Sequence, residues 1–446
     1  MNAPLSRRDL LALLAISPLG RAAVQAETDH TAWYRDAKFG MFIHWGPYSL
    51  ASVEASWPIM RPSKEFPITE AEYRVLPKRF DPANFDPGAL VELAKAAGQR
   101  YMVFTTKHHD GFCMFDSAYT DYKIANTPYK KDIVAQLAEA CHSAGMPIGF
   151  YYSPPDMNHP AFRDTSKLAS ENWNGEPTRA EWPLYLDYME LQLRELLTRY
   201  GDVALIWFDG LYNQRKFDGE RMHRAILTQQ PQTLINNRIG IPGDYETPEQ
   251  FLPSAIPVKG KTLDFTNRET GTDPNYVPKP EEFRLWETCM TINNTWAYNK
   301  NDRDFKSSMH LIRTLVEVAS RGGNFLLNVG PQPDGTIQPE FQERLRAIGK
   351  WMSRNSESIY GTTYGPVQGA KGFRTTAKGN DVFVHIFDWP GTTLEVSANG
   401  LPKVKSAVLL ATGQPVEFQQ QDRRVVIHLP KEPPDSDATV IALKNA

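Results

Sequence analysis

Residues 100–112 read RYMVFTTKHHDGF, an apolar run that passes through a lysine into two adjacent histidines and then Asp-Gly. The apolar half has the texture of a strand covered on both faces, as in a parallel sheet flanked by helices. The polar half poses a geometric question. Side chains alternate faces along a strand, so His108 and His109 can serve one pocket only if the strand ends near Thr106 and a turn brings both rings round.

Working outward, KFGMFIHW (38–45), PIGFYYS (147–153), VALIWFD (203–209), TLINNR (233–238), FRLWET (283–288) and NFLLNVG (324–330) are runs of the same kind. Between them lie GALVELAKAAG, KDIVAQLAEACHSAG and SSMHLIRTLVEVASRGG, with apolar residues at helical spacing and glycine at the end. Strand and helix in repeated alternation predict a parallel sheet. Seven such strands before residue 331 favour a (β/α)8-like TIM barrel over an open doubly wound sheet, with the eighth strand not evident. After PEFQERLRAIGKWMSRN (339–355) the pattern changes to short alternating runs such as DVFVHIFDW, TTLEVSAN and RRVVIHL, which predict a C-terminal antiparallel β-sandwich. The expected division is a barrel over 27–356 and a sandwich over 357–446. Residues 241–282 are rich in proline and charge and read as an irregular loop, a candidate wall of the site.

The chain has 446 residues, and Lys+Arg (49) nearly balance Asp+Glu (52), so nothing points to a nucleic-acid surface or an anionic membrane. Residues 1–26 carry SRRDL, a short apolar stretch and then VQA, the pattern of a twin-arginine signal peptide cleaved after Ala26. That stretch is short of the roughly 20 residues a membrane span needs, so no anchor is expected after cleavage and a bacterial periplasmic or secreted protein is predicted. Cys113, Cys141 and Cys289 are too few and odd in number for a disulfide framework. No CxxC, HxH or HExxH occurs, and adjacent histidines make a poor chelating pair, so neither metal nor cofactor is expected. Nothing sets the oligomeric state, which leaves an oligomer open.

In a barrel of this type chemistry gathers at the C-terminal ends of the strands. Those ends carry His44, His108, His109, Tyr151, Tyr152, Asp209, Arg238, Trp286 and Glu287. Asp209 follows an apolar run and precedes Gly210, which predicts a partly desolvated but accessible carboxylate. Hydrolysis of a glycoside needs a second carboxyl to protonate the leaving oxygen. Glu249, Glu287, Glu54, Glu246 and Asp110 are candidates, and spacing alone leaves Glu249 and Glu287 level. His44, His108, His109 and Arg238 fit a set that hydrogen-bonds sugar hydroxyls.

At these residues the chain resembles the α-L-fucosidases of glycoside hydrolase family 29. KFGMFIHWGPYS, KHHDGFCMFDSAYTDY, GFYYSPPD, IWFDG and GGNFLLNVGPQPDG look like motifs of that family, in the family's order, over roughly residues 37–360. The resemblance implies a barrel followed by a β-sandwich, and exo-acting, retaining hydrolysis of terminal α-L-fucosides on oligosaccharides or glycoconjugates. It implies Asp209 as nucleophile and Glu249 as acid/base, with Glu287 second. His44, His108, His109, Tyr152 and Arg238 look like the sugar-binding set. Several members carry Glu-Trp after the first strand; VEASWP instead has Ser56 before Trp57, so Glu54 and Trp57 are expected to complete the contacts. Phe42 and Trp286 are expected to meet the methyl group that fucose carries. The rivals are an exo-glycosidase for another sugar and a non-catalytic carbohydrate-binding protein. Asp209 and Glu249 together argue against the second.

Overall fold

The computed structural model describes residues 29–64, 66, 68–175, 180–210, 216–261 and 273–445; the expected signal peptide lies outside them. Seven parallel strands, β1 (Phe39–Ile43), β2 (Met102–Lys107), β3 (Ile148–Tyr152), β4 (Leu205–Phe208), β5 (Leu234–Ile235), β6 (Glu287–Thr291) and β7 (Asn324–Val329), pair in the order β5-β4-β3-β2-β1-β7-β6.

The two edges of that sheet are joined by residues 244–250. On the β5 side, Asp244 N–H donates to the Ile235 carbonyl (2.7 Å) and Asn237 N–H to the Tyr245 carbonyl (3.1 Å). On the β6 side, Glu287 N–H donates to the Glu246 carbonyl (2.8 Å) and Gln250 N–H to the Cys289 carbonyl (2.9 Å). This segment is the eighth stave, so the expectation of an irregular loop is corrected over 244–250. It escapes a hydropathy reading for two reasons. Pro248 has no N–H for a regular ladder. Its inward positions Thr247 and Glu249 are polar and bond Arg238 instead of packing.

A second correction concerns β6, expected over 283–288 and found at Glu287–Thr291. The apolar residues FRLW precede the strand. Trp286 and Glu287 therefore sit at its N-terminal end, at the opposite end of the barrel from the pocket.

Alternation sorts the strands into two cores. Phe42, Val103, Tyr151, Leu205, Trp207, Tyr245 and Leu326 fill the barrel interior, with Tyr34 from the helix Ala32–Ala37 beneath them. Met41, Phe104, Phe150 and Ile206 face the surrounding helices, among them Pro87–Ala97, Ile133–Ser143, Ser308–Ser320 and Pro339–Asn355. Asp86, Asp132 and Ser307 cap three of these helices, each accepting from the amide three residues on.

Beyond the helix Pro339–Asn355 the strands are short and antiparallel: β8 (Thr363–Tyr364), β9 (Phe373–Lys378), β10 (Asp381–Ile386), β11 (Thr393–Ser397), β12 (Val404–Leu409), β13 (Phe418–Gln421), β14 (Arg424–His428) and β15 (Thr439–Asn445). They form sheets of order β12-β15-β10-β9-β8 and β11-β14-β13, sharing a core that includes Val384, Val396, Val425 and Ile441. The fold is thus a (β/α)8-like barrel followed by an antiparallel β-sandwich. Trp351 Nε1–H donates to the Ala438 carbonyl (2.9 Å), fastening the sandwich to the helical layer. No helix among the described residues is long and apolar enough to cross a membrane.

Candidate active site

Asp209 follows the last residue of β4, its side chain 16% exposed at the mouth of the barrel. Tyr151 donates its hydroxyl to Oδ2 (3.0 Å), and Arg238 donates Nη1–H to Oδ1 (3.2 Å). The guanidinium is buried and lies over the Trp207 ring, 4.6 Å from its centroid. Thr247 fixes its orientation, accepting from Nε at Oγ1 and from Nη2 at its carbonyl, both at 2.8 Å. Nη1 also donates to Glu249 Oε2 (2.8 Å), whose side chain is 31% exposed. Two carboxylates from different staves therefore converge on one guanidinium nitrogen.

Their environments separate them electrostatically. Burial by itself raises Asp209, but the Arg238 charge and the hydrogen bonds from Tyr151 and Arg238 oppose it, and the carboxyl ends below its ordinary range. Burial also raises Glu249; the adjacent Asp209 charge adds to that, Arg238 only partly opposes it, and the carboxyl ends above its ordinary range. One group is kept ionised and its neighbour is biased towards its acid form.

The adjacent histidines reach one pocket because β2 stops at Lys107 and the chain turns through Asp110 and Gly111. Gly111 has φ +82°, its N–H donates to the His108 carbonyl (3.0 Å), and a Cβ there would lie 2.1 Å from Asp156 Oδ1. Only glycine closes this turn without displacing Asp156. The two rings then stand 4.3 Å apart: His108 stacks on Tyr151 at 5.3 Å and 5°, while His109 Nε2 lies 3.5 Å from Asp209 Oδ2. His44 flanks them, 5.8 Å from His108. Burial favours the neutral imidazoles, pushing His44 down to about 3, His109 to about 4, and His108 well below the usual range.

Trp57 edges onto His109 at 6.3 Å, with Arg61 over its ring. Glu54 turns away from the sugar position: its carboxylate accepts from the amides of Trp296 (2.8 Å) and Ala297 (3.1 Å) and so anchors the loop after β6. Trp296, half-buried and 4.9 Å from His44, is a wall residue that the sequence reading missed. It follows a misplaced strand, and no spacing singled it out. Thr247 was missed as well, although it shares a face with Glu249 two residues on.

Three expected positions fall elsewhere. The Tyr152 hydroxyl points into the helical layer, accepting from Lys107 Nζ (2.9 Å) and donating to Gln192 Oε1 (2.9 Å); alternation gives the inward place to Tyr151. Trp286 is fully buried on the outer side of the sheet, its Nε1–H bonded to the Arg321 carbonyl (3.1 Å), so it offers no wall for a methyl group. Glu287 lies inside the barrel below Trp207, accepting from Tyr34 (2.7 Å), Trp207 Nε1 (2.9 Å) and Tyr101. Burial pushes it up to about 7, but its carboxylate is sealed under the floor of the pocket. Among the described residues no group of three or more His, Cys, Asp or Glu is placed to hold a metal ion.

A model of the alpha-L-fucosidase family matches residues 21–357. The chain belongs to the alpha-L-fucosidase family. It is a glycoside hydrolase, and its fold is that of solved family members. Isoenzyme 1 of alpha-L-fucosidase from Paenibacillus thiaminolyticus superposes with a TM-score of 0.81 at 35% identity, covering 93% of this chain and 98% of that one. A family 29 alpha-L-fucosidase from Bacteroides thetaiotaomicron, trapped as a covalent intermediate with 2-fluoro-fucosyl fluoride, superposes at 0.78 with 29% identity over 93% of this chain and 95% of that one. The tissue alpha-L-fucosidase of Bos taurus is 29% identical over 387 residues, 80% of this chain and 75% of that protein.

Proposed function

We propose that this alpha-L-fucosidase is an exo-acting retaining enzyme for terminal α-L-fucosides of oligosaccharides or glycoconjugates, with Asp209 as nucleophile and Glu249 as acid/base. The observation that carries this reading is the convergence of both carboxylates on Arg238 Nη1, at 3.2 and 2.8 Å. Those oxygens can be no further apart than about 6 Å, which accommodates the ~5–5.5 Å separation of retaining glycosidases and leaves little room for an inverting water.

In the first step Asp209 attacks the anomeric carbon while Glu249 gives its proton to the departing oxygen. Arg238 keeps Asp209 ionised until it reacts. Esterification then removes the Asp209 charge, and with it one of the influences that raise Glu249. The pKa of Glu249 falls as it changes from acid to base, and it takes the proton of the water that releases fucose. His44, His108, His109 and Trp57 hold the sugar. Trp296 replaces Trp286 as the apolar wall for the methyl group.

Residues 1–26 would direct the enzyme to the bacterial periplasm or the medium by twin-arginine export; intact mass of the native protein tests this, with a mature start at residue 27 expected and a start at Met1 contradicting it. The catalytic reading is tested by a panel of 4-nitrophenyl glycosides, followed by proton NMR of the first-formed sugar. Turnover confined to the α-L-fucoside with α-fucose appearing first is expected. β-Fucose first would overturn retention, and turnover of a different glycoside would overturn the substrate.

A further inference from the structure

Burial leaves the three pocket histidines neutral, so each carries one ring proton, and the position of that proton decides whether the ring offers a hydrogen-bond donor or an acceptor. Each Nδ1 is bonded within the protein, and those bonds fix the tautomer. Asn328 donates its amide to the Trp296 carbonyl (2.7 Å), which turns Oδ1 towards His44 Nδ1 (2.7 Å); His44 is therefore protonated on Nδ1. Ser153 donates its single proton to the Pro155 carbonyl (2.6 Å), so it can only accept from His109 Nδ1 (2.6 Å). His109 is also protonated on Nδ1. Both rings present a bare Nε2 to the pocket.

His108 is built the other way. Ser56 Oγ accepts from the Asp110 amide (2.8 Å) and lies 2.7 Å from His108 Nδ1. Among the described residues that nitrogen is the only acceptor bonded to the Ser56 hydroxyl, so the hydroxyl proton goes to it and the ring proton of His108 moves to Nε2. Ser56 is itself tightly held, because its N–H donates to the Tyr73 hydroxyl (3.0 Å), which donates to Asp110 Oδ2 (2.8 Å). Its backbone adopts φ +59°, a left-handed conformation that a serine keeps only where its surroundings fix it.

We propose that Ser56 is a positioning residue that holds His108 as its Nε2–H tautomer, so that the pocket offers a sugar one imidazole donor between two imidazole acceptors. A bound sugar must then turn hydroxyl protons towards His44 and His109 and an oxygen lone pair towards His108. The identity of that sugar rests on the fucosidase reading; the tautomers do not. The hydroxyl facing His109 also supplies the proton missing between Nε2 and Asp209 Oδ2, two acceptors that face each other at 3.5 Å.

The test is nitrogen-15 NMR of histidine-labelled enzyme without substrate, comparing wild type with Ser56→Gly, which removes the hydroxyl at a φ that glycine accepts. Wild type is expected to carry the proton on Nε2 of His108 and on Nδ1 of His44 and His109. In Ser56→Gly the Nδ1–H form of His108 should appear, and KM for 4-nitrophenyl α-L-fucoside should rise about 2- to 10-fold with a smaller change in kcat, as for the loss of one hydrogen bond to the sugar. A wild-type His108 protonated on Nδ1 overturns the proposal, as does a Ser56→Gly enzyme with unchanged tautomer and KM. If that variant fails to fold, the wild-type spectrum decides alone. The expected spectrum in an enzyme inert to fucosides would sink the substrate reading and leave the tautomers standing.

Discussion

Asp209 and Glu249 meet on a single nitrogen, Arg238 Nη1, which lies 3.2 Å from one carboxylate and 2.8 Å from the other. Arg238 lowers both acids, burial raises both and the two carboxylates repel each other, while the Tyr151 hydroxyl bonds Asp209 and so leaves Glu249 as the one raised. The asymmetry between nucleophile and acid thus comes from each carboxyl's neighbours.

Glu249→Gln removes the proton donor and keeps the shape. Hydrolysis of fucosides with poor leaving groups should slow by about 10²- to 10⁴-fold. The nitrophenyl substrate, whose leaving group needs little protonation, should suffer less in its first step. Values of kcat/KM, which report the first step, check this on both substrates; equal losses would argue that Glu249 only binds.

The pH profile of kcat/KM should be bell-shaped. Activity is lost on the acid side as Asp209, held low, gains a proton, and on the alkaline side as Glu249, held high, loses one. Because Arg238 lowers both groups, residual activity of Arg238→Met should show both limbs at higher pH. Limbs that stay in place would separate Arg238 from the control of either acid.

Tyr151→Phe and Tyr152→Phe should behave oppositely. The first deletes a hydrogen bond to Asp209 Oδ2 and should lower kcat with little change in stability. The second takes from buried Gln192 Oε1 its donor and leaves Lys107 Nζ with Asp156, and should cost about 1–3 kcal/mol of stability with kcat nearly intact. Denaturant melts beside kinetics distinguish them.

The buried histidines should make the protein sensitive to acid. His44 is held neutral down to about 3 and His109 to about 4, both below the ordinary value of about 6.5. The unfolded chain therefore binds protons that the native one refuses. Their contribution is complete above pH ~6.5 and declines as pH falls, by up to about 1.4 kcal/mol per pH unit for each group. Glu54 and Glu287, raised to about 7, act with the opposite sign between about pH 4.5 and 7, so the comparison must be with a variant. His44→Asn should lose less stability than wild type between about pH 6 and 4; parallel curves would contradict the assignment.

Where side chains on both strand faces are apolar, the fold could be read directly: VALIWFD and NFLLNVG announced β4 and β7, and the residue after β4 is Asp209. Hydrophobic patterning carries no signal where function replaces packing. The stave 244–250 carries Thr247 and Glu249 where a core strand would carry valine, and so it looked like a loop. FRLWET offered hydrophobicity without register, and the four-residue slip to Glu287–Thr291 moved Trp286 and Glu287 from the mouth to the base of the barrel. Choosing between Tyr151 and Tyr152 needed the pairing of Tyr151 with Trp207 across β3 and β4. Motif order could not supply it. Ser56 was legible only as a departure from Glu-Trp, because its role lies in which atom of His108 it faces.

The most direct test of the catalytic account is hydrolysis of 4-nitrophenyl α-L-fucoside by Asp209→Gly, with and without azide. Turnover should collapse in the variant and partly recover with azide, which enters the space left by the carboxylate and forms β-fucosyl azide by a single inversion. A variant that keeps its activity would show that Asp209 is not the nucleophile.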